Sequence, residues 1–214
     1  MPEALSLIER AEKAQADLIE VRLDCLETSR KLSDLTASTK TPLIATSKPL
    51  SEKGYFAGTE TERQKTLVNA AKNGFTYVDL DLSSPKLKES IKEIELQGAK
   101  PIVSFHKFDG SLSVSEMNPI LEKQIASGAS VCKIITTAKQ IQDNLTALNF
   151  VSANASKAKL VCFCMGELGK ISRLLSPMFG AYFTFASLEK GNETASGQMS
   201  IKEMKTAYKL LEQK

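Results

Sequence analysis

His106 is the only histidine of the chain and closes the apolar run Pro101-Ile-Val-Ser-Phe-His106, while the apolar run Ser130-Val-Cys-Lys-Ile-Ile-Thr136 holds Lys133. An ammonium on a strand buried on both faces carries a desolvation cost, so Lys133 asks for a reason. A lysine amine condenses with a ketone when it is unprotonated, and the imine is an electron sink that acidifies the neighbouring carbon. A histidine within reach can then remove that proton or protonate a departing hydroxyl. Parallel strands lie roughly 5 Å apart, so inward residues at similar heights on the two runs can share one small substrate. The competing reading is structural: Lys133 salt-bridged to Asp79 or Asp81, with His106 hydrogen-bonded in the interior.

The elements that must position this pair follow from periodicity. Short runs rich in Val, Ile and Phe recur at 16–23, 42–47, 75–82, 101–106, 130–136, 159–165 and 181–186, and each reads as a strand. Between them lie helix signals: Thr59-x-x-Glu62, Ser113-x-x-Glu116 and Ser200-x-x-Glu203 are capping boxes, and Gly74, Gly98 and Gly128 are helix stops. No Asn-Gly hairpin signal separates two runs, so successive strands should be parallel and joined by crossover helices. Either an open doubly wound sheet or a (β/α) barrel satisfies this. Side chains alternate along a strand, which puts Glu20, Arg22 and Asp24 on one face, and likewise Ile102, Ser104 and His106, with Lys133 opposed to Cys132 and Ile134. Polar residues thus gather on one face toward the strand C-terminal ends, as a barrel with its site at that mouth requires.

Composition narrows the partners. Lys and Arg number 28 against 25 Asp and Glu, a net charge of +3 without a basic block, which argues against nucleic acid. Neither a leader pattern nor an apolar run of membrane-spanning length is present, so the expectation is a cytoplasmic protein without membrane association. The four cysteines (Cys25, Cys132, Cys162, Cys164) fall mostly in apolar runs and read as reduced core residues rather than zinc ligands or disulfides.

The string Asp17-Leu-Ile-Glu-Val-Arg-Leu-Asp24, followed in order by Ser104-Phe-His106, Cys132-Lys133-Ile134, Ser172-Arg173 and Gly197-Gln198, resembles the type I 3-dehydroquinate dehydratase family over nearly the whole chain. The resemblance implies one (β/α)8 TIM-barrel catalytic domain over 1–214. In it, Lys133 forms an imine with the ketone of 3-dehydroquinate and His106 abstracts the adjacent proton and assists loss of water. Glu52 would orient and tune the histidine. Glu20 and Arg22 would grip substrate hydroxyls, Arg173 the substrate carboxylate, and Thr194 and Gln198 would reach in from a mobile loop. Because the imine is its own electron sink, no metal or organic cofactor is expected. A homodimer is expected as well.

Three departures stand against the family pattern. Lys48 occupies the substrate-binding position usually held by arginine, and lysine lacks the planar fork. Thr194 and Ser196 replace a serine and a proline. The chain opens with the helical Met1-Pro-Glu-Ala-Leu-Ser-Leu-Ile-Glu-Arg10 where the family has a short strand, so the expected barrel lacks its first strand. A start codon placed too far downstream would account for that, as would another segment or a second chain filling the gap. The rival readings are a class I Schiff-base aldolase and a catalytically silent barrel acting as a binding module.

Overall fold

The structure of the chain, a computed structural model, describes residues 2–26, 31–191 and 193–211. Its strands are β1 (Ile19–Arg22), β2 (Leu43–Thr46), β3 (Tyr77–Asp81), β4 (Lys100–His106), β5 (Val131–Thr137) and β6 (Leu160–Met165). Helices α1 (Pro2–Lys13), α2 (Leu32–Ala37), α3 (Glu60–Lys72), α4 (Leu87–Leu96), α5 (Val114–Ser127), α6 (Gln142–Asn154), α7 (Lys170–Leu175) and α8 (Ile201–Leu211) complete the order. The strands stand as β1-β2-β3-β4-β5-β6 in one sheet, and the β1–β2, β2–β3, β3–β4 and β5–β6 ladders are parallel. No described helix is long and apolar enough to cross a membrane.

Two compact units divide the chain, residues 1–104 with 124–130 and residues 105–123 with 131–214. In the first, β2 and β3 are buried along their whole length, as continuous apolar strands between helices should be. Leu67 and Ala70 of α3, Ile94 of α4, and Val78 and Leu80 of β3 are all fully buried. In the second, α6 packs on β6, and Phe150, Val151, Leu160, Val161 and Cys162 are fully buried. Cys132, Cys162 and Cys164 are free and buried, with desolvation pushing the Cys132 thiol up to about 11; Cys25, in the turn after β1, is exposed.

Local signals in the sequence translate directly into helix ends. Thr59 accepts from the Glu62 amide while the Glu62 carboxylate accepts from Thr59, and the same reciprocal bonds join Ser113 to Glu116 and Ser200 to Glu203. Gly74 and Gly98, which follow α3 and α4, sit at φ +89° and +80°, a left-handed conformation that favours glycine.

One expected strand did not form. Residues 181–186 are irregular: Tyr182 N–H reaches Leu160 O at 2.8 Å, and the Phe185 carbonyl accepts from Arg173 Nη1 at 3.3 Å. A single bridge, Ser187 to Ser200, follows. Periodicity reports which side chains are buried and says nothing of which backbone groups a buried guanidinium will take.

Thr59→Ala removes one half of a capping box and is expected to lower stability by about 1 kcal/mol in urea denaturation, with little change in slope.

Candidate active site

The first unit gathers charge on adjoining strands. Glu20 and Arg22 alternate with buried Ile19 and Val21 along β1, as period two requires. Glu20 accepts from Thr46 Oγ1 at 2.9 Å. Arg22 makes a two-point bond to Asp24, Nε to Oδ1 at 2.9 Å and Nη2 to Oδ2 at 2.6 Å, which engages only part of the guanidinium's donor set. That bond raises the affinity of Arg22 for its proton beyond the ordinary range.

Lys48 is 7% exposed and its ammonium donates to Asp79 Oδ1 at 3.0 Å, to Ser104 Oγ at 2.9 Å and to Asp81 Oδ1. Burial alone would push its pKa down; Asp79 and Asp81 outweigh that and hold it above the ordinary lysine value. Ser104 Oγ in turn donates to Asp79 Oδ1 at 2.6 Å. Arg63, 1% exposed, closes the far side: Nη2 lies 3.0 Å from Asp81 Oδ2, Nε donates to Glu60 at 2.7 Å, and Nη1 donates to Ser47 O at 2.7 Å. The strand register makes this possible by setting Asp81 beside Ser104.

Glu52 sits on a turn that doubles back onto Lys48. Phe56 N–H donates to Lys48 O at 3.1 Å and Gly54 N–H to Pro49 O at 2.9 Å. Gly54 packs so closely that a Cβ there would stand 2.0 Å from Lys48 O. Asp24 ties the turn to β1, accepting from Tyr55 N–H at 3.0 Å and from the Lys48 amide. Burial pushes the Asp24 carboxyl up, but the bonds from Arg22 and these amides prevail and hold it below the usual aspartate value.

In the second unit, Lys107 N–H donates to Ile135 O at 2.8 Å, which registers His106 beside Ile135 on β5. Alternation then puts Lys133, two residues earlier, on the same face. The His106 ring stacks on Phe108 with centroids 5.7 Å apart. Lys133 is 5% exposed, and its Nζ lies 4.6 Å from the centre of the Phe185 ring.

Arg173 reaches the same aromatic group from α7. Ser172 Oγ accepts from Cys164 N–H at 3.0 Å and Ser172 N–H donates to Asn144 Oδ1 at 3.0 Å, so the residue before Arg173 pins α7 against β6 and α6. The guanidinium is 1% exposed, stacks 4.4 Å over Phe163, and donates to Phe185 O; its Nε and Nη2 have no hydrogen-bond partner among the described residues. Desolvation lowers its pKa to about 10. Thr194 and Gln198 bond each other, Thr194 N–H to Gln198 Oε1 at 2.8 Å, on a loop that docks where Gly197 comes within 2.1 Å, measured from an added Cβ, of Gly166 O.

Of the residues picked from sequence, Glu20, Arg22, Lys48 and Glu52 therefore belong to the first unit, and His106, Lys133, Arg173, Thr194 and Gln198 to the second. Asp79 and Asp81, read as alternative partners of Lys133, bond Lys48. Arg63, Ser104 and Phe185 were not anticipated in these roles; the alternating Asp79-x-Asp81 pair inside an apolar run was the one signal of a buried cation nearby.

The parallel β/α order, with ionisable side chains gathered on the strands and near their C-terminal ends, is that of β/α-barrel enzymes. The model of the type I 3-dehydroquinase family matches residues 1–214, and the chain belongs to that family. The 3-dehydroquinate dehydratase of Dehalococcoides mccartyi is 37% identical over 209 residues, covering 98% of this chain and 91% of that protein. That of Desulfotalea psychrophila is 34% identical over 214 residues, covering 97% and 92%. The crystal structure of 3-dehydroquinate dehydratase from Geobacillus kaustophilus shares the fold with a TM-score of 0.88 over 97% of this chain and 85% of that one, at 24% identity.

Because Asp24 holds its proton less tightly folded than unfolded, the stability it contributes is complete above the ordinary aspartate value and is lost as pH falls through the folded one. Asp24→Asn should flatten the acid limb of a Tm-against-pH curve below about pH 4.

Proposed function

We propose that residues 1–214 form one catalytic domain that converts 3-dehydroquinate to 3-dehydroshikimate and water through a lysine imine. The observation that carries this reading is the pairing around Phe185: a buried strand amine over its ring and, at its carbonyl, a buried guanidinium with two nitrogens unpartnered among the described residues. A buried cation lacking partners is costly and is relieved by a carboxylate presenting two oxygens to the fork. The substrate has such a carboxylate and a ketone for the amine.

Lys133 Nζ attacks the ketone carbon and water leaves, giving the imine. His106 takes the proton from the adjacent carbon, and the electron pair moves into the enamine. The enamine expels the β-hydroxyl, to which His106 returns the proton, so that water departs; hydrolysis of the conjugated imine then frees product and Lys133. Glu52 orients His106 and steadies its charged form. Glu20 and Arg22 hold hydroxyls, and Thr194 and Gln198 close from the loop over the bound substrate. The imine supplies the electron sink, so the chemistry calls for no metal or organic cofactor.

We place the enzyme in the cytoplasm as a homodimer. Exposed Ile141, just before α6, and exposed Leu145 on α6 lie four residues apart, and Asn144 Nδ2 bridges the Ile141 and Leu168 carbonyls, which brings exposed Leu168 beside them and Ile171 just beyond. This apolar face suits a second copy.

Borohydride reduction in the presence of 3-dehydroquinate should leave a mass adduct on the peptide carrying Lys133; an adduct elsewhere, or none with no enone absorbance, overturns the mechanism. Arg173→Gln is expected to raise KM by about 10- to 100-fold, a charged hydrogen bond lost to the substrate. Leu145→Glu with Ile171→Glu should shift light-scattering mass from dimer to monomer while far-UV circular dichroism is kept.

A further inference from the structure

Lys48 sits where a substrate contact was expected from sequence, yet the surroundings of its ammonium leave it no donor to offer. An ammonium has three donors. All three are directed at protein acceptors, Asp79 Oδ1, Asp81 Oδ1 and Ser104 Oγ, and the residue is buried. A substrate oxygen could be bound only by breaking one of these bonds inside a water-poor interior, at the cost of a charged hydrogen bond to Asp79 or Asp81 or of the bond to Ser104.

The charges around Lys48 explain what it does instead. Asp79 and Asp81 project two carboxylates from one face of β3, one residue apart in the alternation, and two like charges so placed repel strongly in a medium of low dielectric. Lys48 lies between them, and Arg63 caps the outer oxygen of Asp81 while Glu60 balances Arg63 from the surface side. Ser104 joins the group by accepting from Lys48 and donating to Asp79. Ser104 is also on β4, two residues before His106 on the same face of that strand. The network therefore fixes the end of the strand from which the histidine projects.

We propose that Lys48 is a positioning residue: an internal counter-ion that locks Asp79, Asp81 and Ser104, and through Ser104 the course of β4 into His106, while making no contact with substrate. This rests on the dehydratase reading for its kinetic consequence but not for its structural one.

Steady-state kinetics and thermal melts of the full chain test it, comparing wild type with Lys48→Met and with the double variant Lys48→Met/Asp81→Asn. Lys48→Met keeps the stem's bulk and removes the charge, so kcat should fall at least tenfold with KM within threefold, and Tm should fall by about 6 °C or more. Neutralising Asp81 as well removes the repulsion and leaves Arg63 its bonds to Glu60, Ser47 and Ser84, so the double variant should regain at least threefold in kcat and part of the lost Tm. A rise in KM of tenfold or more with kcat retained in Lys48→Met would make the ammonium a substrate ligand and overturn the proposal. If Lys48→Met does not fold, the double variant decides by the same KM criterion. A wild-type chain without turnover would overturn the dehydratase reading alone; the melts would then decide, since a Tm loss not recovered by Asp81→Asn removes the counter-ion role.

Discussion

A charge taken out of water must find an opposite charge or a full set of hydrogen bonds, and the strands of this chain carry several charges into the interior. The cost of leaving one there unmatched runs to several kcal/mol, comparable with the whole stability of a domain. In the first unit the condition is met internally. Lys48 and Arg63 face Asp79 and Asp81, Glu60 and Ser104 complete the set, and each cation is buried with its acceptors at or near 3 Å. In the second unit Arg173 is as deeply buried as Arg63, but among the described residues it only stacks on Phe163 and donates to one carbonyl.

The contrast lies in the partners each guanidinium finds. Arg63 and Arg173 are both 1% exposed, so burial alone does not distinguish them. Partners do. Arg63 bonds two carboxylates and a carbonyl, whereas Nε and Nη2 of Arg173 have no hydrogen-bond partner among the described residues. The opposite pKa directions say the same in another form, with Arg63 raised despite its burial because Glu60 and Asp81 outweigh desolvation, and Arg173 lowered by desolvation.

Backbone economy positions the remaining groups. Gly54 and Gly197 both occupy places where a Cβ would collide with a carbonyl, at 2.0 and 2.1 Å, so each loop folds flat onto its strand end. One loop carries Glu52, the other Thr194 and Gln198. Asp24 holds the first by accepting from its amides, itself gripped by Arg22, so the Glu-x-Arg-x-Asp string serves the turn as well as the strand face.

Much of this was legible along the chain. Six of the seven apolar runs became strands, the three capping boxes closed as written, and the parallel order followed from the missing hairpin signals, because strand alternation, helix capping and crossover length are local properties of neighbouring residues. His106 and Lys133 could be placed on one face for the same reason. What the tertiary structure alone decided is pairing. Lys48 meets partners 31, 33 and 56 residues away, and no local rule says that Asp79 and Asp81 go to it. Nor could periodicity foresee that residues 181–186 would stay irregular, that the Phe185 carbonyl would accept from Arg173, or that Nε and Nη2 of Arg173 would lack partners among the described residues. Which charge is balanced depends on which distant segments arrive beside it, and only the folded chain sets those distances.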